Sequence, residues 1–211
     1  TGGVTVLTSS SIDAEGSGYL RLNSNAKNQA GFARNTTSFP SADGLSLSFE
    51  YFTYGGSGGD GLSFFLYDAT ANNTFQIGAP GGSLGYAQNS SAPGLSKAYL
   101  GFGFDEFGNF SAATAGRQGG PGQRSSSLTI RGDGNGTGAG SPAGTNYEFL
   151  TNMQTTDLAA MNAAGAGNGF TIGGNMDGRT GGADGLIASA TGYRKVQIDM
   201  KPNGLGTGFL L

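Results

Sequence analysis

Apolar and polar residues alternate through Leu45-Ser46-Leu47-Ser48-Phe49-Glu50-Tyr51, placing Leu, Leu, Phe and Tyr on one side of an extended chain and Ser, Ser and Glu on the other. Successive side chains of a strand point to opposite faces, so this spacing predicts a half-buried strand. Residues 4–7, 19–22, 62–67, 100–105, 128–130 and 196–200 read as further strands. Helical periodicity is nearly missing; the one candidate, 156–164, is short and interrupted by Asn162. Strands without helices between them imply antiparallel pairing, and the expected fold is an all-β antiparallel sandwich with very little helix. Long connections separate the strands, at 55–59, 78–85, 116–122, 132–144 and 173–185, and they hold much of the glycine, which amounts to 42 of 211 residues.

That glycine content does not mean collagen, because Gly does not recur at every third position and Pro numbers only 6. It does not mean a disordered coil either, since charged residues are 12% and the formal net charge is −3. A length of 211 suits one domain, expected to cover 1–211. No stretch approaches the roughly 18 apolar residues of a membrane helix, and Lys and Arg are scattered over an acidic chain, so neither membrane insertion nor nucleic acid is expected. There is no Met at the start, and Gly206-Thr207-Gly208-Phe209-Leu210-Leu211 reads as a strand cut before its closing turn. The chain is expected to be a piece of a longer polypeptide. His, Cys and Trp are all absent, which excludes disulfides, thiolate metal sites, Ser-His-Asp triads and zinc-hydrolase clusters. Any metal must be held by oxygen, which points to calcium or magnesium and away from transition metals. Low charge, no Cys and abundant Gly, Ser, Thr and Asn fit a secreted or cell-surface domain.

Three segments carry the chemistry. They are Gly58-Gly59-Asp60-Gly61-Leu62-Ser63-Phe64-Phe65-Leu66, Pro80-Gly81-Gly82-Ser83-Leu84-Gly85-Tyr86 and Tyr99-Leu100-Gly101-Phe102-Gly103-Phe104-Asp105-Glu106-Phe107-Gly108-Asn109. In this order they resemble the L-type (legume-type, concanavalin A-like) lectins, and more closely the bacterial lectin domains of large surface adhesins. The resemblance covers roughly residues 17–200, with Gly119-Gly120-Pro121-Gly122 and Ser127-Leu128-Thr129-Ile130-Arg131-Gly132 adding to it. It implies a jelly-roll sandwich that binds glycans or polysaccharide on a host or neighbouring cell. By this resemblance Asp60 accepts hydrogen bonds from two sugar hydroxyls, the Gly82 N–H donates to a sugar oxygen, Asn109 donates and accepts with its amide, and Phe107 sets its ring beneath a pyranose. It further implies a calcium ion held by Asp105, the Phe107 carbonyl and Asn109.

The sequence departs from the family at the metal. Gly103 stands where the plant-type pattern has a Glu ligand, the His ligand has no counterpart, and Phe110-Ser111-Ala112-Ala113-Thr114 lacks the second calcium Asp. Calcium would need a further partner, with Asp13, Asp177 and Asp184 in question. Local readings stand beside the functional ones. Asp60-Gly61 also suits a hairpin turn, Asp105 and Asn109 suit a loop capped by its own side chains, and Phe107 suits a core. Arg131-Gly132-Asp133 spells an integrin tripeptide that a Gly-rich loop produces by chance, and Asp133-Gly134-Asn135-Gly136 lacks the terminal Glu of a calcium loop. Glycine at 101 and 103 strips one strand face, which lets a backbone or ligand approach. Catalysis is not expected: the adjacent Asp105 and Glu106 point to opposite faces of a strand, where a glycosidase needs paired carboxylates across one bond. The competing non-enzymatic reading is a structural or self-associating extracellular domain whose sugar site has decayed.

Overall fold

The computed structural model describes residues 6–7, 20–23, 26–53, 59–136, 146–154, 193–203 and 209–210. Among the described residues strands in antiparallel sheets dominate, helix is almost absent and no sheet closes into a barrel, as expected for an all-β sandwich. The strands among the described residues are β1 (Val6–Leu7), β2 (Leu20–Arg21), β3 (Leu45–Phe52), β4 (Gly61–Tyr67), β5 (Ala98–Asp105), β6 (Ser127–Arg131), β7 (Phe149–Gln154), β8 (Tyr193–Pro202) and β9 (Phe209–Leu210). Every strand read from the alternation is present. β7 is an addition, because Phe-Leu-Thr-Asn-Met-Gln has no clean period of two. The helix expected at 156–164 and the loop at 173–185 lie outside the described residues.

The chain groups into two compact units. One holds Asn35–Gly55 and Asp177–Leu211, and its sheet has the order β3-β8-β9. Here the alternation acts as expected: Leu45, Leu47 and Phe49 lie opposite Met200, Ile198 and Val196, while exposed Glu50 faces Lys195. The other unit holds Thr1–Arg34 and Gly56–Met176, with the pair β1-β2 and the four-stranded sheet β4-β5-β6-β7.

The two faces of the four-stranded sheet differ in chemistry. Phe64, Leu100, Phe102, Phe104 and Ile130 share one face by register and alternation, and all but Phe64 are buried. The opposite face carries Gly101, Gly103 and Asp105 on β5, beside Ser127, Thr129 and Arg131 on β6. Under this face lies a layer of loop, with a core of Tyr86, Ala87, Leu95, Ala98, Phe110 and Tyr147 packed against Phe65, Phe75, Ile77 and Leu84. A Cβ at Gly101 would come within 2.5 Å of the Tyr86 ring, and one at Gly103 would run into Phe110. The expectation that these glycines let a backbone or a ligand approach is therefore corrected: the space they leave is filled by two aromatic side chains of the protein itself. Buried aromatics of this kind contribute about 1.5–3 kcal/mol each, which is how a glycine-rich strand keeps its core.

Polar groups on this face take partners both from the loops and from β7. Arg131, fully buried, points its five N–H donors at the carbonyls of Phe110, Gln118, Tyr147, Ala112 and Gly119, at 2.7–3.2 Å. Burial lowers its guanidinium to about 10. The Arg-Gly-Asp tripeptide thus uses its arginine inside the fold. Residues 132–136, read as a free loop, are tied at Gly134, whose N–H donates to the Ala98 carbonyl at 3.1 Å, and at Asp133, whose carbonyl accepts from the Tyr147 N–H at 2.7 Å.

Candidate functional site

Sheet register brings the three segments together. Gly61 pairs with Asp105 and Leu62 with Phe104, so the start of β4 and the end of β5 meet at one end of the sheet. Asp60 stands just before β4, and its carbonyl accepts the Glu106 N–H at 3.0 Å and the Phe107 N–H at 3.1 Å. The Gly59–Asp60 peptide is cis. Asp60 does not sit in a hairpin turn, because the strands before and after it do not pair: β3 pairs with β8, and β4 with β5, to which it returns after some thirty residues that include the second segment.

That loop forms the 3-10 turn Gly81–Ser83, closed by the Leu84 N–H on the Gly81 carbonyl at 2.8 Å and anchored by the Ser63 hydroxyl on the Leu84 carbonyl at 2.6 Å. A second 3-10 turn, Asn109–Ser111, follows β5. The two turns touch. A Cβ added at Gly82 would lie 2.5 Å from the Asn109 Cβ, so only glycine lets the backbone come this close to the amide. A Cβ at Gly81 would be 3.7 Å from the Asp60 Oδ2, and one at Gly59 would be 3.6 Å from the Phe107 Cβ. Asp60, Gly82, Phe107 and Asn109 therefore form one cluster, drawn from three stretches of chain.

Their exposure suits contact with a ligand. Phe107 is 48% exposed, against 7% for Phe104 three residues earlier, and so is not a core residue. Asp60 and Asn109 are half-buried. Burial raises the Asp60 carboxyl above the usual aspartate range, with Arg117 pulling it back down, and no hydrogen bond to the carboxylate contributes. The first N–H groups of a helical turn have no partner within it, which leaves Gly82 able to donate outward.

Asp105 does something different. It is fully buried, and its Oδ1 accepts the Gly108 N–H at 2.7 Å while its Oδ2 accepts the Phe110 N–H at 2.6 Å. These bonds fold the chain back on itself and present Phe107 and Asn109. Burial lifts the Asp105 carboxyl to about 6; the two N–H donors act against this, Asp60 adds to it and Arg117 opposes it. Gly108 takes φ 101° where the chain passes against the Arg124 carbonyl carbon, and that strand-side segment returns with Gln123 Nε2 on the Phe107 carbonyl at 3.0 Å.

The groups expected to hold calcium do not fit the ion as they stand. Asp105, the Phe107 carbonyl and the Asn109 side-chain amide offer at most four oxygens against the six to eight or so that calcium takes. Three of the four already accept hydrogen bonds. No group of three acidic side chains that could hold a metal occurs among the described residues. Asp13, Asp177 and Asp184, named as further partners, and the 183–185 stretch lie outside them.

Arg117 is the residue that sequence reasoning overlooked. It is 6% exposed, with Nη1 on the Ser83 hydroxyl at 2.9 Å, Nε on the Ala112 carbonyl at 3.1 Å and Nη2 on the Thr114 hydroxyl at 2.9 Å. The available signal was a lone cation in Gly116-Arg117-Gln118-Gly119-Gly120, in a chain that spends charge sparingly. No family model, curated protein or solved structure matches the chain.

Proposed function

We infer that this chain is a carbohydrate-binding module of the L-type lectin kind, in a secreted or cell-surface protein that attaches a bacterium to glycans or polysaccharide on a host or neighbouring cell. What carries the reading is one observation: Asp60, Gly82, Phe107 and Asn109 meet at one sheet end, with Phe107 48% exposed and the carboxylate and amide half-buried beside it. A sugar presents hydroxyls on its rim and C–H groups on its face, and this set answers both. The carboxylate accepts two hydroxyls through charge-assisted bonds, the Asn109 amide donates and accepts, and the ring covers the apolar face. The site is shallow, so affinity per site is low and repeated display supplies avidity.

Binding rather than turnover is the role. Of the two carboxylates beside Asp60, Asp105 is closed to solvent with its oxygens on its own backbone N–H groups, and Glu106 accepts the Gly59 N–H through Oε1 at 3.2 Å, so both neighbours serve the backbone, which supports binding over turnover. A glycan array probed with the purified chain tests the reading. Selective retention on one glycan class is expected. No retention on any glycan would favour a structural domain with a decayed site, and release of reducing sugar would make it an enzyme.

A further inference from the structure

We propose that this site works without a metal ion, its two turns being ordered by the buried Arg117 guanidinium, which supplies from within the fold the fixed positive charge and cross-bracing a cation would otherwise give. The inference rests on the sugar-binding reading of the same turns and concerns how they are held.

The geometry places one side chain between both turns. Ser83 ends the Gly81–Ser83 turn that carries Gly82, and Ala112 immediately follows the Asn109–Ser111 turn. Arg117 bonds to each, at 2.9 and 3.1 Å, and takes Thr114 as a third point. A planar guanidinium with five fixed donors constrains direction as well as distance, which a lysine ammonium cannot do. The turns in question are those whose contact, Gly82 against Asn109, builds the ligand surface.

Charge points the same way. Arg117 is the buried cation whose charge opposes those of Asp60 and Asp105. A metal in an oxygen-lined site would stand there as the largest local charge. Here the oxygens that would face a metal are turned to N–H donors instead: Asp105 to Gly108 and Phe110, and the Phe107 carbonyl to Gln123. An acceptor set of at most four oxygens, three of them already engaged from inside, and a cation already in place describe turns ordered without an ion.

The test uses the metal alone and does not depend on which sugar binds. Amide signals of Gly108, Asn109 and Phe110 are followed by NMR as the wild-type chain is titrated with CaCl2 to about 10 mM, tenfold above the weakest extracellular calcium sites. Thermal melts run in parallel in EDTA and in CaCl2. No saturable shift of those amides and no gain in Tm are expected; a saturable shift with a Tm rise of several degrees would overturn the proposal. In a second arm the amide signals of Gly82 and Asn109 are compared in wild type, Arg117→Lys and Arg117→Gln. Displaced signals at both positions in both variants, with the amides of the four-stranded sheet unmoved, are expected because an ammonium lacks the fixed donors of the guanidinium, and unmoved Gly82 and Asn109 signals in both variants would remove Arg117 from its role. Failure of the glycan array with these outcomes intact would overturn the sugar reading and leave the account of the turns standing.

Discussion

Asp60 and Asp105 are both aspartates at the same sheet end, yet their surroundings give them opposite tasks. Asp60 is half-buried and makes no side-chain hydrogen bond among the described residues, so Asp60→Ala should leave Tm nearly unchanged while glycan affinity falls tenfold or more, since a hydrogen bond to a charged group is worth about 1.5–3 kcal/mol. Isothermal titration beside a melt checks both halves; unchanged affinity would remove Asp60 from the site. Asp105 is a folding residue, and its pH signature follows from its burial. The folded carboxyl titrates near 6, above its ordinary value, so the folded state holds the proton more tightly. Its contribution is therefore most favourable below about pH 4, declines as pH rises through 6 and is constant above, with a total on the order of 2–3 kcal/mol. Urea unfolding from pH 4 to 8 should show this decline in wild type and lose it in Asp105→Asn. Parallel curves for the two proteins would contradict it. The sequence made the cluster's members visible because Asp, Gly, Phe and Asn fall in recognisable order. It hid Arg117, because a loop arginine bonded to carbonyls and hydroxyls carries no periodic signature.

Strand β5 shows where pattern reading succeeds and where it stops. Alternation correctly put Leu100, Phe102 and Phe104 on one face and Gly101, Gly103 and Asp105 on the other. What the glycines face was not legible, because Tyr86 and Phe110 reach them from loops without any period. The consequence is testable: Gly103→Ala meets the Phe110 ring and should cost about 1–3 kcal/mol through overpacking, whereas a gap kept for a ligand would tolerate it. Chemical denaturation measures this, and an unchanged midpoint would restore the ligand reading of that face. β7 escaped notice for a related reason. Its inward Asn152 bonds Thr129 at 2.7 Å and Ser127 at 2.9 Å, so the strand is held to a polar face and lacks the apolar stripe by which strands are found.

At the scale of the whole molecule, a chain with net charge −3, whose proposed site is centred on a half-exposed ring, has little long-range steering to draw on for affinity. A single copy should bind a glycan hit weakly, and the same chain displayed in many copies on a surface should gain 10²–10⁴ or so in apparent affinity without any new contact. Surface plasmon resonance at low and high immobilisation density distinguishes this; equal apparent affinity at both would contradict it. The fold class follows from the period of two together with the near absence of helix, because those are local properties of the backbone. The site depends on which loops meet, which register fixes only after the strands pair. The central claim is the location of the sugar. It is tested most directly by mapping NMR amide shifts in the wild-type chain on addition of the glycan retained on the array. Perturbations centred on Asp60, Gly82, Phe107 and Asn109 are expected; saturable perturbations centred elsewhere, with these four unmoved, would contradict it.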